Sequence, residues 1–394
     1  MSNIPKLRFP EFKGEWEEKK LSDFMTRLTR KNSNNESSRA LTISSVDGLI
    51  DQGEFFKKQI ASKDTSGYYL LKKGDFAYNK SYSVGYDYGS IKRLDRYEDG
   101  VVSTLYICMS LTSDTNSDYL THYFDSMKWN KSVSEISAEG ARNHGLLNIP
   151  TESFFQTKHF LAPTLAEQQK IADFLSNVDS IITAETKILN TLQKKKKALM
   201  QKLFTQQLRF KSDDGTDFPA WEERKLGECV EILDSQRKPI ESKERANRKG
   251  EYPYYGASGI IDYIDDYLFE GESILLGEDG ANIINRNSRL AFIATGKYWV
   301  NNHAHIMKAN ADNLNYFICE YLESLDYSKI CAGSAQPKLT QDVIRNLTIK
   351  APCKEEQQKI ADCLSSMDSL IQTQQKVVTT WQQRKKALLQ QMFI

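Results

Sequence analysis

The strongest periodicity in the chain lies in two stretches of about forty residues. In the first, apolar side chains fall on two interleaved seven-residue series, one through Ile171, Val178, Leu192 and Leu199, the other through Leu175, Ile182, Leu189 and Leu203. The second stretch repeats this with Ile360, Met367, Trp381 and Leu388 interleaved with Leu364, Ile371, Val378 and Met392. A 3.5-residue period sustained over five heptads predicts coiled-coil helices rather than helices lying on a globular core. At 1.5 Å per residue each would span roughly 60 Å. The seam is broken at matching places, Glu185 with Gln374 and Lys196 with Lys385. Polar seam residues penalise slipped pairings, and long polar side chains also snorkel to solvent; the pattern leaves both readings open. The remaining blocks, 22–150 and 227–340, carry β-branched and aromatic runs such as VVSTLYICMSL (101–111), SILLG (273–277) and LAFIATG (290–296) between Gly, Asn, Asp and Ser clusters. Each predicts a compact mixed α/β domain.

The helical stretches are copies. EQQKIADFLS (167–176) returns as EQQKIADCLS (356–365), and LQKKKKALMQKLF (192–204) as WQQRKKALLQQMF (381–393), both 189 positions later. A second pair lies upstream of each block: RFPEFKGEWEEKKL (8–21) is matched by FPAWEERKL (218–226), with Trp16 against Trp221. The layout is a lead (1–21), a first block (22–150), a first helical repeat (151–207), a connector repeating the lead (208–226), a second block (227–340) and a second helical repeat (341–394). Only about fifteen residues (205–220) join the first helix to the second block. Antiparallel pairing would return the second helix toward the lead and make the chain nearly circular. The expected fold is α+β, two mixed domains separated by two long antiparallel helices in a coiled coil, with a pseudo-twofold.

Charge and motifs narrow the function. Fifty-three Lys plus Arg against 52 Asp plus Glu give +1, against a uniformly basic coat for DNA or an anionic membrane. Residues 230–340 alone carry 12 Lys plus Arg and 16 Asp plus Glu, a net of −4, so DNA binding there needs polarised charge or help from partners. The six cysteines form no C-x-x-C pair or zinc spacing and read as reduced packing residues. No apolar h-region opens the chain and no apolar run reaches the length of a membrane span, so a soluble, cytoplasmic protein is expected. Neither a Walker A loop, nor a G-x-S-x-G elbow, nor an amino-methyltransferase's Asn/Asp-Pro-Pro-aromatic stretch is found, and no catalytic or metal-ligating set stands out.

Recognition fits better. GDFAYNKSYSVGYDYG (74–89) interleaves Tyr78, Tyr82, Tyr86 and Tyr88 with Lys80, either phosphate donors and flat faces for DNA or a Tyr-rich strand edge packed on its own domain. In the second block ILLGEDGANIINRN (274–287) and VNNHAHIMK (300–308) offer His303 with Asn282 and Arg286, whose amide and guanidinium groups are of the kind that read adenine and guanine. Buried, hydrogen-bonded histidines are the ordinary alternative for His303 and His305. The loops before each helix, EGARNHG (139–145) and CAGSAQPKLT (331–340), add Arg142 and Gln336 as groove contacts.

The duplicated P-x-x-x-EQQKIAD segments at 163–173 and 352–362, the trailing KKKKALMQKLF and RKKALLQQMF, and the W-E-E-[KR]-K-L leads closely resemble the specificity subunit of type I restriction-modification systems over essentially the whole chain. The resemblance implies a non-catalytic chain. Each block would be a target-recognition domain reading one half of a bipartite, interrupted, asymmetric site in double-stranded DNA, with the helices fixing the spacer and docking two methyltransferase subunits. It also implies restriction/translocase subunits as partners, with S-adenosylmethionine, ATP and magnesium on those partners and none on this chain. Two other classes stay open: an adaptor joining two protein-binding domains, and a self-contained nucleic-acid enzyme.

Overall fold

A computed structural model describes residues 3–56, 61–62, 64–112, 114–137, 147–331 and 337–394. The chain divides into two compact units, Met1–Thr186 with Lys376–Ile394, and Lys187–Gln375. This boundary cuts both long helices near their middles, which corrects the expectation that each helical repeat is a segment apart from the blocks. The ends of the helices belong to the cores of the units.

The long helices run Leu165–Phe204 and Lys354–Met392, starting later than the expected 151 and 341. The residues before them form a short helix, Thr151–Phe155 or Gln341–Arg345, and a strand, Lys158–Leu161 or Thr348–Ala351. Each strand pairs antiparallel with a lead strand, Glu17–Lys20 or Glu222–Lys225. Pro163 and Pro352 disfavour helical backbone in the residue before them, which separates strand from helix. The first long helix ends where Gln206 turns left-handed (φ 58°) and the N–H groups of Gln206 and Leu208 donate to the carbonyls of Leu203 and Lys202.

In the first unit an antiparallel sheet runs in the order Met25–Arg27, Ile107–Leu111, Phe76–Asn79, Ser90–Arg93. Helix Ser117–Asp125, capped by the Asn116 side chain on the Tyr119 N–H, lays Tyr119, Leu120, Tyr123 and Phe124 into a core shared with Ile171, Leu175, Leu389, Met392 and Phe393. The lead closes on the end of the second long helix: the Leu7 N–H donates to Gln391 O at 2.9 Å and Trp16 meets Phe393 edge-on. Outside this core sit the hairpin Leu41–Ser44/Gly48–Asp51 and the pair Tyr69–Lys72/Asp99–Val102.

The second unit repeats the sheet order with Val230–Ile232, Ala304–Ala309, Ser273–Gly277 and Ala291–Ala294, and packs helix Asn315–Ser324 on Met200, Leu203, Ile360 and Leu364. Here the connector's Phe210 and Trp221 pack on that core, as the lead does in the first unit. Its outer layer is a four-stranded sheet, Gly259–Ile264, Lys249–Gly256, Lys297–Val300 and Phe269–Glu270, with one parallel pair at Lys249–Gly256 and Lys297–Val300.

Within each unit the two helix segments run antiparallel, Asp179 meeting Lys385 in the first and Lys196 meeting Asp368 in the second. Of the seam residues, Ile171, Leu175, Val178, Leu189, Ile360, Leu364 and Val378 are buried, and Ile182, Leu192, Met367, Ile371 and Trp381 are half-buried.

Candidate nucleic-acid interface

The duplicated motif builds a frame that positions each block. Glu167 is buried and accepts from the Arg8 guanidinium (2.7 and 2.8 Å) and the Trp16 indole (3.1 Å). Glu356 does the same with Arg209 (3.1 and 2.6 Å) and Trp221 (3.1 Å). These hydrogen bonds raise both guanidinium pKa values further. The following Gln168 donates to Ala162 O and accepts from the Asn116 N–H, both at 2.8 Å, so it joins the helix start to the cap of the block's own helix. Gln357 repeats this with Pro352 O and the Leu314 N–H, both at 3.0 Å.

The seam lysines tie the helices to the blocks. Lys196, buried, lies 2.7 Å from Asp368 and 2.8 Å from Glu320 of the second block, beside Arg289. Lys385 lies 2.6 Å from Asp179 and 3.9 Å from Asp125 of the first block, where Lys92 also reaches Asp125 at 2.7 Å. Both lysines are thus paired in the seam rather than snorkelling away from it.

At the end of each central strand the frame presents a corner where a hairpin tip meets the next loop. In the first unit the tip is Ser45–Val46–Asp47, braced by the Asp47 N–H donating to Ser44 Oγ (3.0 Å) and that hydroxyl donating to Asp47 (2.9 Å). It meets the loop after Phe76–Asn79 through Ser45 Oγ, 3.1 Å from Ser83 Oγ and 3.2 Å from Ser90 Oγ. In that loop Ser83 and Tyr86 bridge across a Val84–Gly85 turn, with Gly85 at φ +81°, a conformation that suits glycine. Val46 is 82% exposed, Val84 90% and Tyr82 55%.

The second unit's corner is polar and pinned. The tip is Ala257–Ser258, and its backbone lies so near Gly277 that a Cβ there would meet Ala257 O at 2.6 Å. Beyond Gly277, Glu278 accepts from Arg237 (2.8 Å) and Lys338 (3.2 Å), while its carbonyl accepts from the Leu339 N–H. Asp279 faces the half-exposed His303 at 2.9 Å, and the Asn301 side chain fixes the His303 N–H. Beneath them buried His305 lies 2.5 Å from Asp234 and 2.8 Å from Leu339 O. Burial works to raise the Asp234 and Glu278 carboxyls, but contacts with His305 and Arg237, joined by the Ile306 N–H at Asp234 and Lys338 at Glu278, outweigh it and hold both below the usual range.

The sequence candidates fall differently. Tyr82 stands on the first corner; Lys80 is half-buried at its base, and burial lowers its amine pKa. Tyr78, from the same motif, is a core residue stacked on Phe154, with its hydroxyl donating to Tyr88 O. His303 stands on the second corner, whereas Asn282 has both ends of its amide taken up closing the loop on Ser288. Arg286 is turned to helix Asn315–Ser324, where it donates to Glu323 O at 2.6 Å and lies 2.9 Å from the Glu323 carboxylate. Arg142 and Gln336 lie outside the described residues. Sequence reading missed the Ser45–Asp47 tip, because no local pattern relates it to the loop after Phe76–Asn79, and it missed the Arg8 and Arg209 clamps. The second had a signal: LRF occurs at 7–9 and again at 208–210.

Across the two helix segments of the first unit runs an apolar groove of about 430 Å³ lined by Phe174, Val178, Ile181, Trp381, Ala387 and Leu388. No helix among the described residues is long and apolar enough to cross a membrane.

Comparison with known proteins places the frame. The family model described as type I restriction modification DNA specificity domain matches twice, over residues 13–194 and 220–380. A type I restriction enzyme specificity subunit of Methanocaldococcus jannaschii is 26% identical over 318 residues, 74% of this chain and 72% of that protein. A putative one of Haemophilus influenzae is 34% identical over 145 residues, 37% of each chain, so the chain spans little more than a third of that relative's length in the match. The crystal structure of the S subunit of a type I restriction-modification system from M. genitalium shares the fold at a TM-score of 0.58 and 14% identity, covering 99% of both chains.

Proposed function

The chain belongs to the family of type I restriction-modification DNA specificity subunits, and from that premise we propose that each unit reads one half of a bipartite, interrupted, asymmetric DNA site. The observation that carries this is the contrast within each unit: a frame built by the same residues, Glu167 and Gln168 or Glu356 and Gln357, presenting corners of unlike chemistry. Two readers of different sequence on equivalent mounts are what an asymmetric site requires.

The helices set the spacer and dock two modification subunits. The groove at Phe174, Ile181 and Trp381 supports docking, since tryptophan is among the residue types most enriched at the anchors of protein interfaces and Trp381 stands half-buried among apolar neighbours. The chain itself is not catalytic. S-adenosylmethionine, ATP and magnesium act on the modification and restriction/translocase subunits, and the assembly works on DNA in the cytoplasm.

The test is single-molecule sequencing of adenine methylation in a methylation-free host that expresses this chain with its cognate modification subunit. A two-part motif that disappears when the chain is omitted is the expected result. Methylation indifferent to the chain would reject sequence reading and favour an adaptor that joins proteins.

A further inference from the structure

We infer that the Val46 and Val84 turns of the first unit form a prong that recognises the 5-methyl group of thymine in the DNA major groove. This rests on the DNA-reading function proposed above and names the chemical feature read by one of its two corners. Val46 and Val84 are the most exposed large apolar residues among those described, at 82% and 90%, while Leu105 follows at 61%. They are not loose ends. Each sits at the tip of a hydrogen-bonded turn, and the two turns are joined to each other through Ser45 Oγ and Ser83 Oγ, with the buried Ser90 hydroxyl behind them.

The choice of ligand follows from what the turns carry and lack. Neither Ser44–Gly48 nor Ser81–Tyr86 contains a Lys or Arg, so the prong is no phosphate clamp, and phosphate contacts would not call for two valines in water. Among base edges, only thymine presents a methyl group in the major groove, and that groove is wide enough to admit a two-stranded ribbon. A wedge driven between base steps from the minor groove is the other apolar use, but such wedges are mostly longer side chains. Valine is short and stiff at χ1, which suits contact with a methyl group at the groove floor. Tyr82, half-exposed beside Val84, places a hydroxyl within reach of the flanking backbone.

The experiment uses the full chain with its modification subunit, on duplexes carrying the motif found by methylation sequencing. Each thymine is replaced in turn by uracil, which keeps the pairing and removes only the methyl. Methylation rate at subsaturating complex should fall about fourfold per contacted methyl for at least one thymine of one half-site. In a Val46→Ser, Val84→Ser variant that discrimination should vanish, while the other half-site is read as before. The intact half-site reports a folded complex, so a loss confined to one half cannot be general unfolding. Uracil tolerated at every position, or discrimination unchanged in the variant, overturns the inference and leaves DNA reading standing. A chain that directs no motif at all removes the DNA-reading premise and this inference with it. A variant that loses both half-sites and the modification subunit together marks the prong as a protein contact and likewise overturns it.

Discussion

The two units differ least where they face the long helices and most at the corner beyond the central strand. Arg8, Trp16, Glu167 and Gln168 make in one unit the contacts that Arg209, Trp221, Glu356 and Gln357 make in the other. Yet one corner exposes two valines on hydroxyl-bridged turns and the other a carboxylate, a histidine and a pinned loop. The lesson is a division of labour. A buried ion pair has demanding geometry and tolerates little change, whereas turn tips can be rewritten without disturbing the core that holds them.

The frames are not energetically equal, and this offers the largest test. The Arg8 side chain is 9% exposed and Arg209 27%, against partners that are both buried. Glu167→Ala should cost the first unit about 3–5 kcal/mol, and Glu356→Ala the second about 2–3 kcal/mol, because Arg209 keeps more water. Denaturant unfolding read by hydrogen exchange in each unit separates the two; equal losses would break the comparison.

Acid should divide the units next. His159 is buried between Tyr123 (2.9 Å) and Thr157 (2.8 Å), and burial lowers its pKa to about 3. The same place on the paired strand of the second unit is Ile349. Unfolded histidine takes its proton near pH 6.5, the folded one only near 3, so this contribution is full above about 6.5 and is lost as pH falls toward 3. From this one group the first unit should lose on the order of 4–5 kcal/mol over that range, a loss that Ile349 cannot add in the second. His159→Gln should flatten the difference, as followed by unit-resolved hydrogen exchange from pH 7 to 4.

A smaller asymmetry lies in the seam, where the Lys196 side chain is 8% exposed and Lys385 19%. Lys196→Ala leaves the buried Glu320 with Arg289 as its remaining cation and should cost about 2–3 kcal/mol; Lys385→Ala, nearer to water, about 1 kcal/mol. Thermal melting of the two variants checks the order. Least costly to the fold, and aimed at the corner itself, Asp279→Asn with His303→Ala should leave stability unchanged and relax one base preference in one half-site by about 1–3 kcal/mol. Methylation sequencing of the variant reads this directly; relaxation of both half-sites would put the reading residues elsewhere.

The chain's periodicity and its repeat were enough to find both long helices and the doubled layout, because a 3.5-residue seam and a nine-in-ten identity are local facts. The strands at 273–277 and 291–294 were also legible as short apolar runs between turn-forming clusters. Helix starts were misplaced by more than ten residues because short strands that pair with the leads look like continuations of the helix until their partners are known. Among the site candidates, Tyr82 and His303 reached the corners, while Asn282 and Arg286 were drawn into closing their own loop and bracing a helix. A polar residue type announces hydrogen-bonding capacity, not which partner takes it. Sequence alone therefore determined the repeating frame, where burial follows from pattern. Only tertiary structure decided which turns meet at each corner, because that depends on contacts such as Ser45 with Ser83, and the Ala257 backbone against Gly277, between residues that no local pattern relates.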